Sequence, residues 1–243
     1  MNRPATTEPR SPMPMHADSI RSNQRGLTLV ELMVGLAVGL FVLAGATLVV
    51  SSQLNDNRTL LLETQIQQDL RASADIIARE IRRAGAHGSP SQLIVTVGGP
   101  APVRNGFADV AIAGTSEITF NYRRNQQQGP YGFRLSDDGV IQTLLGNGGW
   151  QALTDGNTMR VTELTVTAMP ETVAQIQCPK ACSADPEDTA CWPSLAVRSY
   201  QIDIVARAAT DPRIQRSIRS VVRVRNDDLR FNDPLNPALA CPA

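Results

Sequence analysis

From Leu27 to Val50 the chain runs for 24 residues with a single ionisable side chain, Glu31. As a helix rising about 1.5 Å per residue, this run spans about 36 Å, more than the roughly 30 Å of a bilayer's hydrocarbon core. Such a segment must be enclosed by lipid or by other helices. A carboxylate inside it is costly and marks function rather than packing.

Residues 1–26 are polar and carry Pro4, Pro9, Pro12 and Pro14 together with Arg3, Arg10, Arg21 and Arg25. Arginines beside an apolar run hold that end in the cytoplasm and send the polar remainder of the chain across the membrane. No apolar core precedes position 26 and no small-x-small site follows one, so this stretch is not a secretory signal peptide.

Gly26-Leu27-Thr28-Leu29-Val30-Glu31 with the apolar run behind it resembles the cleavage and N-methylation motif of type IV prepilins and pseudopilins. The family pattern is Gly, an apolar residue that is usually Phe, Thr-Leu-x-Glu and a long apolar run. Leu27 in place of Phe is the one departure. The resemblance implies a leader at 1–26, longer than is usual in the family. It implies a prepilin peptidase cut after Gly26, methylation of the new amine on Leu27, and a docking role for Glu31 between subunits. Simple electrostatics agrees. Glu31 stands four residues after Leu27, a spacing that puts both on one helix face. A freed α-amine titrates at about 7.7–8.0 and stays largely cationic. Amine and carboxylate can then neutralise each other, within a subunit or between neighbours, where an unpaired charge would be far costlier.

Inside the span, Gly35 and Gly39 form a Gly-x-x-x-Gly pair, and Gly45 sits between Ala44 and Ala46. Small residues at this spacing let helices approach closely, although glycine is also common in membrane helices generally. Beyond the span, Leu62, Ile66, Leu70, Ile77, Ile81 and Ala84 recur at spacings of three, four and seven, one face of a helix continuing through 51–85. Arg82 and Arg83 suit its C-terminus and Gly85 its stop. The combined helix of about 59 residues would be roughly 88 Å long.

From about Ser89 the pattern becomes β. The expected strands are Leu93–Val97, Glu117–Arg123, Gly132–Leu135, Val140–Leu145, Arg160–Met169, Ala196–Ala208 and Ser217–Arg225. Ile118, Phe120 and Tyr122 alternate, as do Tyr200, Ile202, Ile204 and Ala206, while Val161, Leu164 and Val166 alternate with a slip. Ser136-Asp137-Asp138-Gly139 reads as a hairpin turn, and the last two long strands could pair across Asp211-Pro212. Stretches 98–106, 125–130 and 146–149 read as loops, and the tail after Leu229 as irregular. The expected class is α+β: a long N-terminal helix, membrane-spanning in its first half, packed on an antiparallel sheet. The expected parts are 1–26, 27–50, 51–85 and 86–243.

The motif, Ile81-Arg82-Arg83-Ala84-Gly85 at the helix end and the late Val222-Arg223-Val224-Arg225-Asn226 stretch are together similar to the PilW group of minor type IV pilins. That group is related to the J-type minor pseudopilins of type II secretion. The resemblance implies other minor pilins, the major pilin and a tip adhesin as partners. It implies residence in the inner membrane with the C-terminal domain in the periplasm, then in the fibre at the cell surface.

Composition narrows the classes. The full chain is neutral, and without residues 1–26 it has 19 basic and 21 acidic side chains, a charge of −2. Aromatics make up 4%, so no base-stacking platform and no nucleic-acid partner are expected. The stretch after residue 26 holds one histidine, His87, and no Gly-x-Ser-x-Gly elbow, so no base stands ready beside a nucleophile and no catalysis is expected. Asp137, Asp138 and Asp155-Gly156-Asn157 lack EF-hand spacing and read as turns. Cys178, Cys182, Cys191 and Cys241 lack the second pair of a zinc site. Two disulfides in an oxidising compartment are expected, with all three connectivities open. No cofactor is expected.

These readings favour a minor pilin that helps start pilus assembly near the tip. A J-type pseudopilin is the alternative. A tethered enzyme lacks catalytic residues, and an adhesin or DNA receptor would rest on a stripe of Arg213, Arg216, Arg219, Arg223 and Arg225. Mass spectrometry of the assembled protein is expected to find Leu27, methylated, at its N-terminus. A first residue other than Leu27 would overturn this.

Overall fold

The computed structural model describes residues 26–87, 104–124, 127–231 and 241. The chain forms two compact units, one ending at Gln53 and one beginning at Leu54. Helix α1 (Leu29–Arg82) contributes to both.

Within the second unit, α1 buries Ile66, Leu70, Ser73, Ala74, Ile77, Ala78 and Ile81, the face expected from the spacing. Leu62 packs at its margin. The helix ends three residues before the expected Gly85. Residues 83–85 turn out of it, and Gly85 takes φ 76°, which a side chain would strain. The last helical carbonyl, that of Arg82, and the turn carbonyls of Ala84 and Gly85 are met from elsewhere. The Asn226 amide donates to Ala84 O at 3.0 Å, the Asn105 amide to Gly85 O at 2.7 Å, and the Arg225 N–H to Arg82 O at 3.0 Å.

The strands among the described residues are β1 (Val110–Ala113), β2 (Glu117–Phe120), β3 (Arg123–Arg124), β4 (Gln127–Gln128), β5 (Tyr131–Leu135), β6 (Ile141–Leu145), β7 (Trp150–Ala152), β8 (Met159–Ala168), β9 (Thr172–Gln175), β10 (Ser194–Val197), β11 (Ser199–Ala208), β12 (Gln215–Arg223) and β13 (Asp228–Arg230). They pair antiparallel in the orders β1-β2-β5-β6-β7, β12-β11-β8 and β13-β10-β9, with β3-β4 a small ribbon. The expected hairpin of the two late strands is β11–β12, in register from Ser199↔Arg223 to Arg207↔Gln215. The slip in β8 is a bulge. Val205 pairs Glu163 and Ala206 pairs Val161, which leaves Thr162 over, and its hydroxyl donates to Val205 O at 3.2 Å.

One expected strand is two. Residues 196–208 break at Arg198, and the chain passes from the β13-β10-β9 sheet into the β12-β11-β8 sheet. Arg198 is buried, and its guanidinium donates to the carbonyls of Ala108 and Asn226. Those non-local bonds fix it as a corner. Short β1, β4, β7 and β9 have no counterpart among the expected strands, β4 lying in the stretch 125–130 expected as loop, and β13 reaches one residue into the tail expected as irregular after Leu229. Expected strand Leu93–Val97 lies outside the described residues.

The core sets the helix face against alternate residues of the sheets: Ile118 and Phe120 of β2, Phe133 of β5, Leu164 and Val166 of β8, Ile202 and Ile204 of β11 and Val222 of β12. Tyr122 lies in it, stacked on Tyr131 at 4.0 Å, with its hydroxyl donating to Glu80. Burial, reinforced by the Glu80 carboxylate, pushes the Tyr122 pKa up to about 12.

At the start of β13, Asp228 is 1% exposed and holds two arginines, Arg104 through Nε and Nη2 at 3.3 and 3.0 Å and Arg230 through Nε at 3.0 Å. Burial alone would raise its pKa. The hydrogen bonds from Arg104 and Arg230 outweigh burial and hold the carboxyl below its ordinary value. The unfolded chain therefore takes up this proton first as pH falls. The stabilisation is complete above the unfolded carboxyl value of about 3.9 and is lost as pH falls through the lower folded value. Asp228→Asn is expected to remove about 2–3 kcal/mol near neutral pH and to flatten the acid limb of the stability profile. Urea unfolding of the full chain in neutral detergent reads both, and equal acid limbs in wild type and variant would refute the assignment.

Candidate processing and subunit-docking segment

Gly26, Leu27 and Thr28 precede the helix. Thr28 starts it. Its carbonyl accepts the first helical bond from Leu32 N–H at 3.1 Å, and its hydroxyl oxygen accepts from Glu31 N–H at 3.2 Å. Thr28 is thus the N-cap and Glu31 the third helical residue, the arrangement of a capping box. The Thr-x-x-Glu spacing is visible in the sequence, yet the expected reading of Glu31 passed over it. The cap also corrects the expected geometry of Leu27. Leu27 lies outside the helix, so it and Glu31 do not share a helix face. A carboxylate in the first turn faces the positive end of the helix dipole, which favours it.

From Leu27 to Leu54 every large apolar side chain is exposed, with Leu29 at 75% and Phe41 at 83%. By length and composition this part of α1 could cross a membrane. A helix apolar on every side is stable only when something covers all of it. Glu31 is exposed with them and has no ion pair among the described residues.

The glycines of the span point the same way. A Cβ built on Gly35, Gly39 or Gly45 meets nothing within 4 Å. Nothing in the chain itself demands glycine at these positions, which costs helix stability relative to alanine.

Other residues prominent in the sequence settle elsewhere. Cys178 is bonded to Cys241 and Cys182 to Cys191, which selects one of three connectivities. His87 sits just past the helix with its ring edge-on to Phe107 at 5.9 Å. Asp155 accepts from Asn157 N–H at 2.8 Å and closes a turn. Among the described residues, no group of three or more His, Cys, Asp or Glu could hold a metal ion. The arginine stripe is mostly neutralised: Arg213 by Asp211, Arg216 by Glu63, Arg219 by Asp203 and Arg223 by Asp227, at 2.5–3.0 Å. Arg225 alone of the five has no ion pair among the described residues.

Comparison with known families gives two matches. Residues 21–47 match the prokaryotic N-terminal methylation motif, and residues 59–224 match the family described as prepilin peptidase-dependent protein B. No curated protein and no solved structure matches the chain.

The geometry separates folding from association. Gly35→Leu with Gly39→Leu is expected to leave unfolding of the full chain in detergent within about 0.5 kcal/mol of wild type. It should weaken association of the spans in lipid vesicles, read by energy transfer between labelled chains. A loss of monomer stability, or unchanged energy transfer, would count against the packing role.

Proposed function

The chain belongs to the prepilin peptidase-dependent protein B family, and from that premise we propose that it is a minor type IV pilin of the PilW kind, a structural subunit and not an enzyme. The observation that carries the reading is the division of labour along α1. One half buries a single face in the folded unit, and the other exposes apolar side chains on all sides behind a capped N-terminus.

In this reading prepilin peptidase cuts between Gly26 and Leu27 and methylates the amine of Leu27. The subunit waits in the inner membrane, its folded unit in the periplasm and lipid covering Leu29–Val50. On entering the fibre the span exchanges lipid for neighbouring helices, which is nearly neutral in hydrophobic terms because both surroundings are apolar. Direction then comes from polar contacts and close packing. Glu31 meets the amine of an adjacent subunit, and Gly35, Gly39 and Gly45 admit its helix. The stretch from Ser89, about 155 residues, is bulky for a unit repeated along a thin fibre and suits low copy near the tip. Partners there are other minor pilins, the major pilin and a tip adhesin.

Glu31→Ala is expected to insert, to be cleaved and to fold as wild type, but to fall several-fold in sheared fibres. Deleting the gene should reduce surface pili and twitching while the pool of major pilin in the membrane persists. Normal pili with blocked export of folded enzymes would transfer the protein to a type II secretion pseudopilus. Wild-type abundance of Glu31→Ala in fibres would refute the docking role.

A further inference from the structure

The second unit carries a cleft of about 640 Å³ where the last turns of α1 meet the end of β12, lined by Arg79, Arg82, Arg83, Arg223 and Arg225 around the buried Val224. Two of the five guanidinium groups are already paired with carboxylates, Arg83 with Glu80 at 2.7 Å and Arg223 with Asp227 at 3.0 Å. Each carboxylate is engaged within the folded unit. The second oxygen of Glu80 accepts the Tyr122 hydroxyl, and both oxygens of Asp227 are taken by Arg223. Arg79, Arg82 and Arg225 are exposed and have no ion pair among the described residues, so five cations against two anions leave an excess of three.

An ordinary task for arginines at a helix C-terminus is to cap its last carbonyls. Here that task is done by backbone N–H groups, Arg83 to Glu80 O, Ala84 to Ile81 O and Arg225 to Arg82 O, each at 3.0 Å, while Asn226 and Asn105 serve the turn carbonyls of Ala84 and Gly85. The three guanidinium groups are left facing the cleft with their donors unspent. Holding like charges together costs energy unless an anion joins them, and the planar guanidinium fork matches carboxylate geometry.

We propose that this cleft receives a carboxylate-bearing segment of a neighbouring subunit, so that an acidic stretch of the partner completes the arginine cluster. Three observations choose that occupant. The two arginines of the cluster that are paired hold carboxylates. Among the described residues the cleft offers no exposed large apolar side chain to enter a lipid interface, and Val224 in its wall is 0% exposed. Among the described residues it has no aromatic ring on which a base could stack. Identifying the partner as a fibre subunit rests on the pilin reading, whereas the preference for carboxylates does not.

The test uses the full chain in neutral detergent and a fluorescein-labelled peptide of alternating Glu and Gly, followed by fluorescence anisotropy. Arg79→Gln/Arg82→Gln/Arg225→Gln is expected to weaken binding more than tenfold. The charge-matched Arg58→Gln/Arg71→Gln/Arg207→Gln, three exposed arginines outside the cleft, should stay within twofold. Parallel titrations use anionic phosphatidylglycerol vesicles and a single-stranded DNA oligonucleotide. Equal losses in the two triple variants, or no binding of the peptide, would overturn the proposal. So would cleft-dependent binding of vesicles or DNA that is tighter than that of the peptide. The peptide result stands apart from fibre incorporation, so failure of the Glu31 experiment and failure of this one are distinguishable.

Discussion

The folded unit depends on one contact, the burial of the helix stripe from Ile66 to Ile81 against alternate residues of the sheets. Leu70, Ile77 and Ile81 are fully buried on the helix side, as are Ile118, Ile202, Ile204 and Val222 on the strand side. Strand pairing alone could not stabilise a ladder as short as β1-β2; it persists because the core backs it through Val110, Ile112, Ile118 and Phe120. The devices at the helix end follow from the same contact. The helix ends at Arg82, and its last carbonyl with those of the turn after it takes donors from residues 105, 225 and 226.

The same helix obeys a second rule in its first half. There the apolar surface is complete around the circumference, so no sheet on the same chain could cover it. Its one ionisable side chain up to Val50 is Glu31, in the first turn behind a capped N-terminus. A surface of this kind is satisfied by lipid and by neighbouring helices about equally well. That near-equality lets a few polar and close-packing contacts decide which of the two surrounds it.

Local patterns made much of this legible in advance. The helix stripe repeats every three or four residues within the element that carries it, so Ile66, Leu70, Ile77 and Ile81 can be read without knowing what they touch. The β11–β12 hairpin is similarly local. The break at Arg198 is not, because the alternation of Ala196 through Ala208 runs past it. What stops the strand is a pair of carbonyls far away in sequence, at 108 and 226. Pairing of Cys178 with Cys241 rather than with a nearer cysteine is likewise a fact of tertiary position. At the docking segment, Glu31 was legible as an oddity in an apolar run. Its backbone bond to Thr28 was equally local, and it places Leu27 beyond the helix rather than on its face.

The Cys178–Cys241 bond bridges a sequence separation of 63 residues, and β10 to β13 lie inside that loop. A chain pulled from its two ends is loaded in tension along every stretch that no cross-link bypasses. Unravelled, 63 residues would extend to roughly 210 Å. The disulfide takes that length out of reach of any force applied outside the loop. Stretching can then peel β8 from β11, but it cannot draw out β11 and β12. The cross-link acts as a mechanical stop and sets the most that this part of the folded unit can yield.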